Sequence, residues 1–272
     1  MIVYPNAKIN LGLNIVSRRP DGYHNIETLF YPIGLSDALE IVFPKGEDNG
    51  YRLEQSGNAI GVADVDNIVV KALRKLQSVR SLPFVGMHLH KVVPTGAGLG
   101  GGSADAAFVM KHINMLLSLG LSTPELQHLS ASIGADCPFF IDDKPAFATG
   151  IGDVLTPVGV SLKGYYLVLV KPQVSVPTKI AYSKVRPHEP EQHIMGIVKR
   201  PVGEWRDVLV NDFEESVFAE FPVIGQLKQR MYDEGAVYAS MSGSGSSVFG
   251  LFEHEPDVTF SSDIFVWKEQ LK

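Results

Sequence analysis

The stretch Pro94-Thr95-Gly96-Ala97-Gly98-Leu99-Gly100-Gly101-Gly102-Ser103-Ala104-Asp105 constrains this chain more than any other. Five glycines fall within the seven residues from Gly96 to Gly102. Glycine takes positive φ without penalty and has no Cβ to hold another group away. An apolar stripe follows at once: Ala106, Val109, Met110, Ile113 and Leu117 predict a helix starting near Ser103. Bare N–H groups at a helix start, backed by the positive end of the helix dipole, make an anion site, most often for phosphate. A flexible linker is the alternative, but linkers rarely run from an apolar strand straight into an amphipathic helix.

Three kinds of phosphate loop compete for this stretch. Walker A needs a Lys after the glycines, and none follows. Gly96, Gly98 and Gly101 satisfy G-x-G-x-x-G. The dinucleotide fold also wants an acidic residue about 20 positions on, at the end of a second strand. Here that region, Gly120-Leu121-Ser122-Thr123-Pro124-Glu125, reads as a loop entering a helix. The protein-kinase loop is followed by His-Arg-Asp and Asp-Phe-Gly, and neither tripeptide occurs.

Composition narrows the class. The 272 residues suit one large domain or two ordinary ones, and 45% hydrophobic with 20% charged residues indicates a globular chain. A net charge of −6 with no basic patch argues against nucleic acid as a partner. Cys137 is the single cysteine, which fits a reducing compartment. Neither a signal-peptide pattern nor a long apolar run is present, so a cytoplasmic chain without a membrane partner is expected.

From Lys8 to Val16 the residues alternate, with Ile9, Leu11, Leu13 and Ile15 on one side and Lys8, Asn10, Gly12 and Asn14 on the other. Such alternation predicts a strand with one buried face, and it aims Lys8 and Asn10 the same way. Arg18-Arg19-Pro20-Asp21-Gly22 reads as a turn, and Tyr23-His24-Asn25 opens the next strand. A further strand is expected over 39–43 and a hairpin region with a short strand over 45–61. Asp66 is the expected N-cap of a helix running to Gln77. A strand over 84–93 carries His88 and His90 on one face, with no third metal ligand in sight. Asp105 sits in the first turn of the glycine-loop helix, where the dipole favours negative charge. Ser122-x-x-Glu125 is a capping box. Asp136 then lies between that helix's end and an apolar strand punctuated by Pro138.

A domain boundary is expected near 156–163, dividing 1–156 from 157–272. Beyond it come a strand over 165–171, a short helix over 178–185 bearing Tyr182, helices from Asn211 and over 223–234, and strands over 237–241 and 248–252. Ser242-Gly243-Ser244-Gly245 between those strands is a second phosphate-competent loop. The order of elements is an α+β pattern of ferredoxin-like type.

Pro94-x-x-x-Gly98-Leu99-Gly100 with Gly101-Gly102-Ser103-Ala104 resembles the ATP loop of the GHMP kinases. Lys8-x-Asn10, Asp21-Gly22-Tyr23-His24, Gly134-Ala135-Asp136-x-Pro138-Phe139 and Ser242-Gly243-Ser244-Gly245 extend the resemblance over most of residues 2–252. It implies two domains: 1–156, ribosomal-protein-S5-like and ATP-binding, and 157–272, ferredoxin-like and substrate-binding, with the active site in the cleft between them. It implies phosphorylation of a small alcohol by ATP with Mg²⁺. The Asp-Gly-Tyr-His run points to a cytidine diphosphate-linked sugar alcohol.

Residue roles follow from the same resemblance. Asp136 matches the catalytic base, with Lys8 beside it, and Asn10 hydrogen-bonds the substrate. Tyr23 and Tyr182 sandwich the cytosine, His24 reads its edge, and Thr178 supports the substrate. Pro94, Gly96, Ala97, Gly98, Leu99, Gly100, Gly101, Gly102, Ser103 and Ala104 cradle the ATP phosphates, and Ser103 meets Mg²⁺. Ser242, Gly243, Ser244 and Gly245 close over the same site. A monomer or weak homodimer is expected. Two alternatives stay open: a GHMP kinase of another specificity, which has no need of Tyr23-His24, and a non-catalytic nucleotide-binding module, which tolerates loss of Asp136.

Overall fold

In the computed structural model, which describes residues 1–45, 50–58, 61 and 63–272, the alternating stretch around Lys8 forms one long strand. In chain order the strands are β1 (Ile2–Val3), β2 (Asn6–Arg18), β3 (His24–Ser36), β4 (Ala38–Val42), β5 (Tyr51–Gly57), β6 (Val85–Lys91), β7 (Ala146–Thr149), β8 (Val154–Pro157), β9 (Tyr166–Lys171), β10 (Tyr238–Met241), β11 (Val248–Phe252) and β12 (Phe265–Gln270). The helices are α1 (Ile68–Gln77), α2 (Gly101–Leu116), α3 (Thr123–Ala131), α4 (Cys137–Asp142), α5 (Thr178–Ala181), α6 (Ile194–Ile197), α7 (Phe213–Glu220) and α8 (Pro222–Asp233). Two compact units result: Met1–Ala7, Leu35–Thr95 and Gly100–Lys144 make the first, and Lys8–Gly34, Gly96–Leu99 and Pro145–Lys272 the second. Among the described residues no helix is long and apolar enough to cross a membrane.

The first unit holds a sheet of order β1-β4-β6-β5. The short strand expected within 45–61 is β5, but it runs parallel to β6 and so is no hairpin arm. Residues 46–49 and 59–60 of that segment lie outside the described residues. Helix α1 buries Val69, Val70, Leu73 and Leu76 and packs against α2. Its cap is Asn67, whose side chain accepts from the Val69 N–H at 3.0 Å; Asp66, the expected cap, belongs to a preceding 3-10 turn. The Ser122–Glu125 capping box starts α3 as expected. Pro138-Phe139-Phe140 is helical rather than a strand. Proline is pre-organised for a helix's first turn, and four-residue apolar runs carry no period that separates helix from strand.

Helix α2 begins at Gly101, two residues before the expected start, and Asp105 is not a solvent-facing partner of its dipole. The Asp105 side chain is buried and accepts from Lys91 Nζ at 2.7 Å. The same ammonium is paired with Asp37. Asp37 Oδ1 in turn accepts from the Val92 and Val93 N–H groups at 2.6 and 2.8 Å. A Cβ on Gly101 would stand 2.8 Å from Val93 Cγ1. The triad therefore ties the end of β6, before the glycines, to the helix that follows them. Burial pushes the Asp105 carboxyl up to about 8, against the pull of Lys91.

An acid whose folded value is raised binds its proton more tightly when folded. Its stabilising effect is complete below about pH 4 and is lost as pH rises towards about 8. Asp105→Asn, which cannot titrate, is expected to flatten the fall of unfolding free energy between those limits, measured by urea unfolding. Equal slopes in the native protein and the variant would overturn this assignment.

The second unit holds two sheets, β2-β3-β7-β8 and β10-β11-β9-β12. In the latter, β9 is antiparallel to both β11 and β12, and β10 is antiparallel to β11. Strand β12 lies in the final segment, for which the sequence raised no expectation, and Glu269 on it accepts from the Gly34 N–H at 2.8 Å. Helix α5 stops at Ala181, earlier than expected, and α6 was not foreseen. Leu13 and Ile15 of β2 pack with Val168 and Val170 of β9, Phe213 of α7 and Met231 of α8. Both faces of β2 are covered, contrary to the one-buried-face expectation: Lys8, Asn10 and Asn14 are 3%, 2% and 5% exposed. Period-two alternation tells which residues share a face, not whether that face meets water.

Candidate active site

Lys8 sits at the start of the second unit's run of β2. Its ammonium donates to Asn10 Oδ1 at 2.6 Å and to the Gly98 carbonyl at 3.0 Å. It also lies 4.9 Å from the centroid of the Phe30 ring, a distance that favours a cation. The Lys8 backbone N–H donates to the Leu99 carbonyl at 2.9 Å, so strand and glycine loop are joined twice.

Gly96, Gly98 and Gly100 have φ of +62°, +78° and +70°. At Gly98 the requirement is double, since a Cβ there would stand 2.0 Å from the Ser242 carbonyl oxygen. The two glycine loops expected to act together are thus in contact. The Ser242 hydroxyl donates to the Gly98 carbonyl at 2.9 Å, and the Ser247 N–H to the Ala97 carbonyl at 3.2 Å. Gly243 and Gly245 also have positive φ, and Ser244 is half-buried between them. Asn211 holds this second loop, its amide donating to the Met241 and Gly243 carbonyls at 2.8 Å each. Glu214 accepts from the Met241 N–H at 2.9 Å. The sequence assigned Asn211 and Glu214 only to a helix start; their loop contacts span about 30 positions, which local pattern does not reveal.

The first unit carries the rest of the glycine stretch and Asp136. Gly101 and Ala104 are buried at the start of α2, and Pro94, Gly100, Gly102 and Ser103 are half-buried. Asp136 is half-buried and directly precedes α4, and its side chain does not cap that helix. A Cβ on Gly134 would lie 3.3 Å from Cys137 Sγ and 3.5 Å from Ser103 Oγ. The turn that presents Asp136 is therefore packed against the first turn of α2. Burial pushes the Cys137 thiol up to about 12, with a hydrogen bond to Ser103 opposing, so it serves as a small hydrophobe. His88 and His90 share a hydrogen bond with the Ser56 hydroxyl, at 2.9 Å each. Among the described residues no group of three or more His, Cys, Asp or Glu could hold a metal ion.

The Asp21-Gly22-Tyr23-His24 run builds a presented edge. Asp21 accepts from Arg19 Nε at 3.0 Å and from the Tyr23 N–H at 3.1 Å, and Gly22 turns at φ +87°. Tyr23 is left 62% exposed. His24 stacks on Tyr182, with ring centroids 4.8 Å apart and planes at 25°. Tyr182 in turn meets the Phe213 ring edge-on at 4.7 Å. Burial, then the charge of Arg18, lowers the His24 value, which favours the neutral ring with one donor and one acceptor. Thr178 is exposed at the start of α5.

Gly98→Ala is expected to cost at least about 1–2 kcal/mol of stability from the left-handed backbone alone, and more from the Ser242 contact. Urea unfolding checks this, and a variant as stable as the native protein would contradict the close approach of the two loops.

Comparison with known proteins identifies the family. Residues 67–150 match the family model "GHMP kinases N terminal domain" and residues 196–260 match "GHMP kinases C terminal". A Bacteroides fragilis protein named 4-diphosphocytidyl-2-C-methyl-D-erythritol kinase is 54% identical over 259 residues, covering 95% of this chain and 94% of its own. A Bacteroides thetaiotaomicron protein of the same name is 50% identical over 274 residues, with both chains fully covered. A crystal structure of 4-(cytidine 5'-diphospho)-2C-methyl-D-erythritol kinase is similar at a TM-score of 0.79 and 33% identity, covering 92% of this chain and 90% of its own. The mevalonate kinase of Methanococcus jannaschii shares the fold at a TM-score of 0.68 and 12% identity over 100% of this chain. From its glycine loops to its two matched domains, the chain belongs to the GHMP kinases.

Proposed function

We propose that this protein transfers the γ-phosphoryl group of ATP to the 2-hydroxyl of 4-diphosphocytidyl-2-C-methyl-D-erythritol, in the non-mevalonate route to isoprenoid precursors. The observation that carries the reading is the buried Lys8, held by Asn10 and by the Gly98 carbonyl of the loop that also touches Ser242. An ammonium fixed against a phosphate-competent loop is what transfer between oxygens requires. Such transfer passes through a loose transition state whose charge lies on oxygens, so catalysis is positioning and electrostatic stabilisation.

Asp136 is the proposed acceptor of the substrate hydroxyl proton. Lys8 steadies the charge that develops on the transferring group. Pro94, which has no N–H of its own, leads into the loop, Gly96 to Ser103 and Ala104 turn N–H groups to the ATP phosphates, and Ser242 to Gly245 form the neighbouring loop. Ser103 is the candidate protein oxygen for Mg²⁺; a neutral hydroxyl suits a hard cation that keeps phosphate and water oxygens as its other ligands. An ion held there would offset phosphate charge. Asn10 hydrogen-bonds the alcohol, and Thr178 supports it.

The cytosine is the proposed partner of Tyr23, His24 and Tyr182. The exposed Tyr23 ring and the ring pair formed by His24 and Tyr182 offer flat faces and a polar edge. Residues 1–156 are the proposed ATP-binding part and 157–272 the substrate-binding part. The protein is proposed to act in the cytoplasm as a monomer or weak homodimer, on small molecules alone.

The test is ADP release from Mg-ATP and the cytidyl alcohol by the native protein and by Asp136→Asn. Loss of a positioned base is expected to lower kcat by about 10²–10⁴-fold while ATP binding persists. Native turnover with a different alcohol only would keep the kinase and remove the cytidyl specificity. Full activity in the variant would remove Asp136 from the chemistry.

A further inference from the structure

Thr28 lies in β3, is wholly buried, and was not singled out by any motif. Its hydroxyl donates to the Gly12 carbonyl at 2.6 Å and accepts from the Asn10 amide at 2.9 Å. Gly12 stands at φ +68°, a break in the regular run of β2, and a Cβ there would stand 2.6 Å from Leu209 Cδ1. The backbone carbonyl that accepts the Thr28 hydrogen bond thus belongs to a residue whose positive φ favours glycine and whose Cα faces the Leu209 side chain.

These bonds leave no freedom in who donates. A carbonyl oxygen only accepts, so the one hydroxyl proton of Thr28 is committed to Gly12. Towards Asn10 the hydroxyl can then only accept, which turns the Asn10 amide nitrogen to Thr28. The Asn10 carbonyl oxygen is thereby directed to Lys8, whose ammonium has only protons to offer. A flipped Asn10 would set donor against donor at Lys8 and leave its oxygen facing a hydroxyl with no proton to give. In a buried site both mismatches are costly.

We infer that Thr28 is a positioning residue for phosphoryl transfer: by committing its proton to Gly12 it writes the orientation of the Asn10 amide, and through that amide the position of the Lys8 ammonium. Thr28 itself touches no reactant. This inference rests on the proposed roles of Lys8 and Asn10.

The experiment compares Thr28→Val, which keeps the shape and removes the hydroxyl, with Thr28→Ser, which keeps the hydroxyl and removes the methyl. Steady-state ADP release and thermal unfolding are measured for each, and again in an Asn10→Ala background. Misplacing a charged group by a fraction of an ångström up to about 1 Å is expected to lower kcat about 10- to 100-fold in Thr28→Val, with the KM for ATP within about twofold of the native value. Thr28→Ser should keep kcat within about threefold of native even where its missing methyl lowers the melting temperature. In the Asn10→Ala background the hydroxyl should matter little, since its target is gone. Should Thr28→Val not fold, Thr28→Ala supplies the same deletion of the hydroxyl. Native kcat in the hydroxyl-free variant, an equal fall in Thr28→Ser, or an undiminished effect without Asn10 would each overturn the inference. Native rates in Asn10→Ala would instead remove the reading of the site on which it rests.

Discussion

Residue 98 has room for a hydrogen and nothing larger. A Cβ there would stand 2.0 Å from the Ser242 carbonyl oxygen, and the backbone already turns at φ +78°. That close approach lets the Ser242 hydroxyl reach the Gly98 carbonyl. The same carbonyl accepts from Lys8. One oxygen thus links strand β2, the first glycine loop and the second. Asn211 and Glu214 then hold the second loop from its other side through the Met241 and Gly243 backbone. Glycine here is a condition of assembly rather than of flexibility.

Two buried lysines anchor different parts of the chain. Lys91 is held between the buried Asp37 and Asp105 side chains and joins β6 to α2 inside its own unit. Replacing such a group by an apolar one of the same shape is not costly in principle, but removing one member leaves the others buried and unpaired. Lys8 donates to the Asn10 and Gly98 carbonyl oxygens and lies over the Phe30 ring.

Much of the candidate site was legible because it rests on local chemistry. Runs of glycine advertise positive φ, and Gly96, Gly98 and Gly100 have it. Asp21-Gly22 announces a tight turn, and that turn leaves Tyr23 exposed. Ser122 and Glu125 cap α3 through a contact three residues long. The less legible parts involve partners far apart in sequence. Asp105 was assigned to a helix dipole because nothing near it hints at Lys91 or Asp37. Pro138-Phe139-Phe140 was assigned to a strand because a short apolar run has no resolvable period. Strand β12 was missed because its pairing with β9 crosses about 100 residues.

The sequence by itself determined the fold family and the two glycine loops, and it supplied the residues of the proposed site, because φ preference, turn chemistry and alternation are properties of neighbouring residues. Only the tertiary structure decided that the polar face of β2 is buried, that Asn10 points its oxygen at Lys8, and that burial raises the Asp105 carboxyl. Burial, hydrogen-bond partnership and local dielectric are set by segments that meet across the fold. Thr28 shows the difference plainly: an unremarked residue in a strand pattern acquires its role from a carbonyl 16 positions earlier and an amide 18 positions earlier.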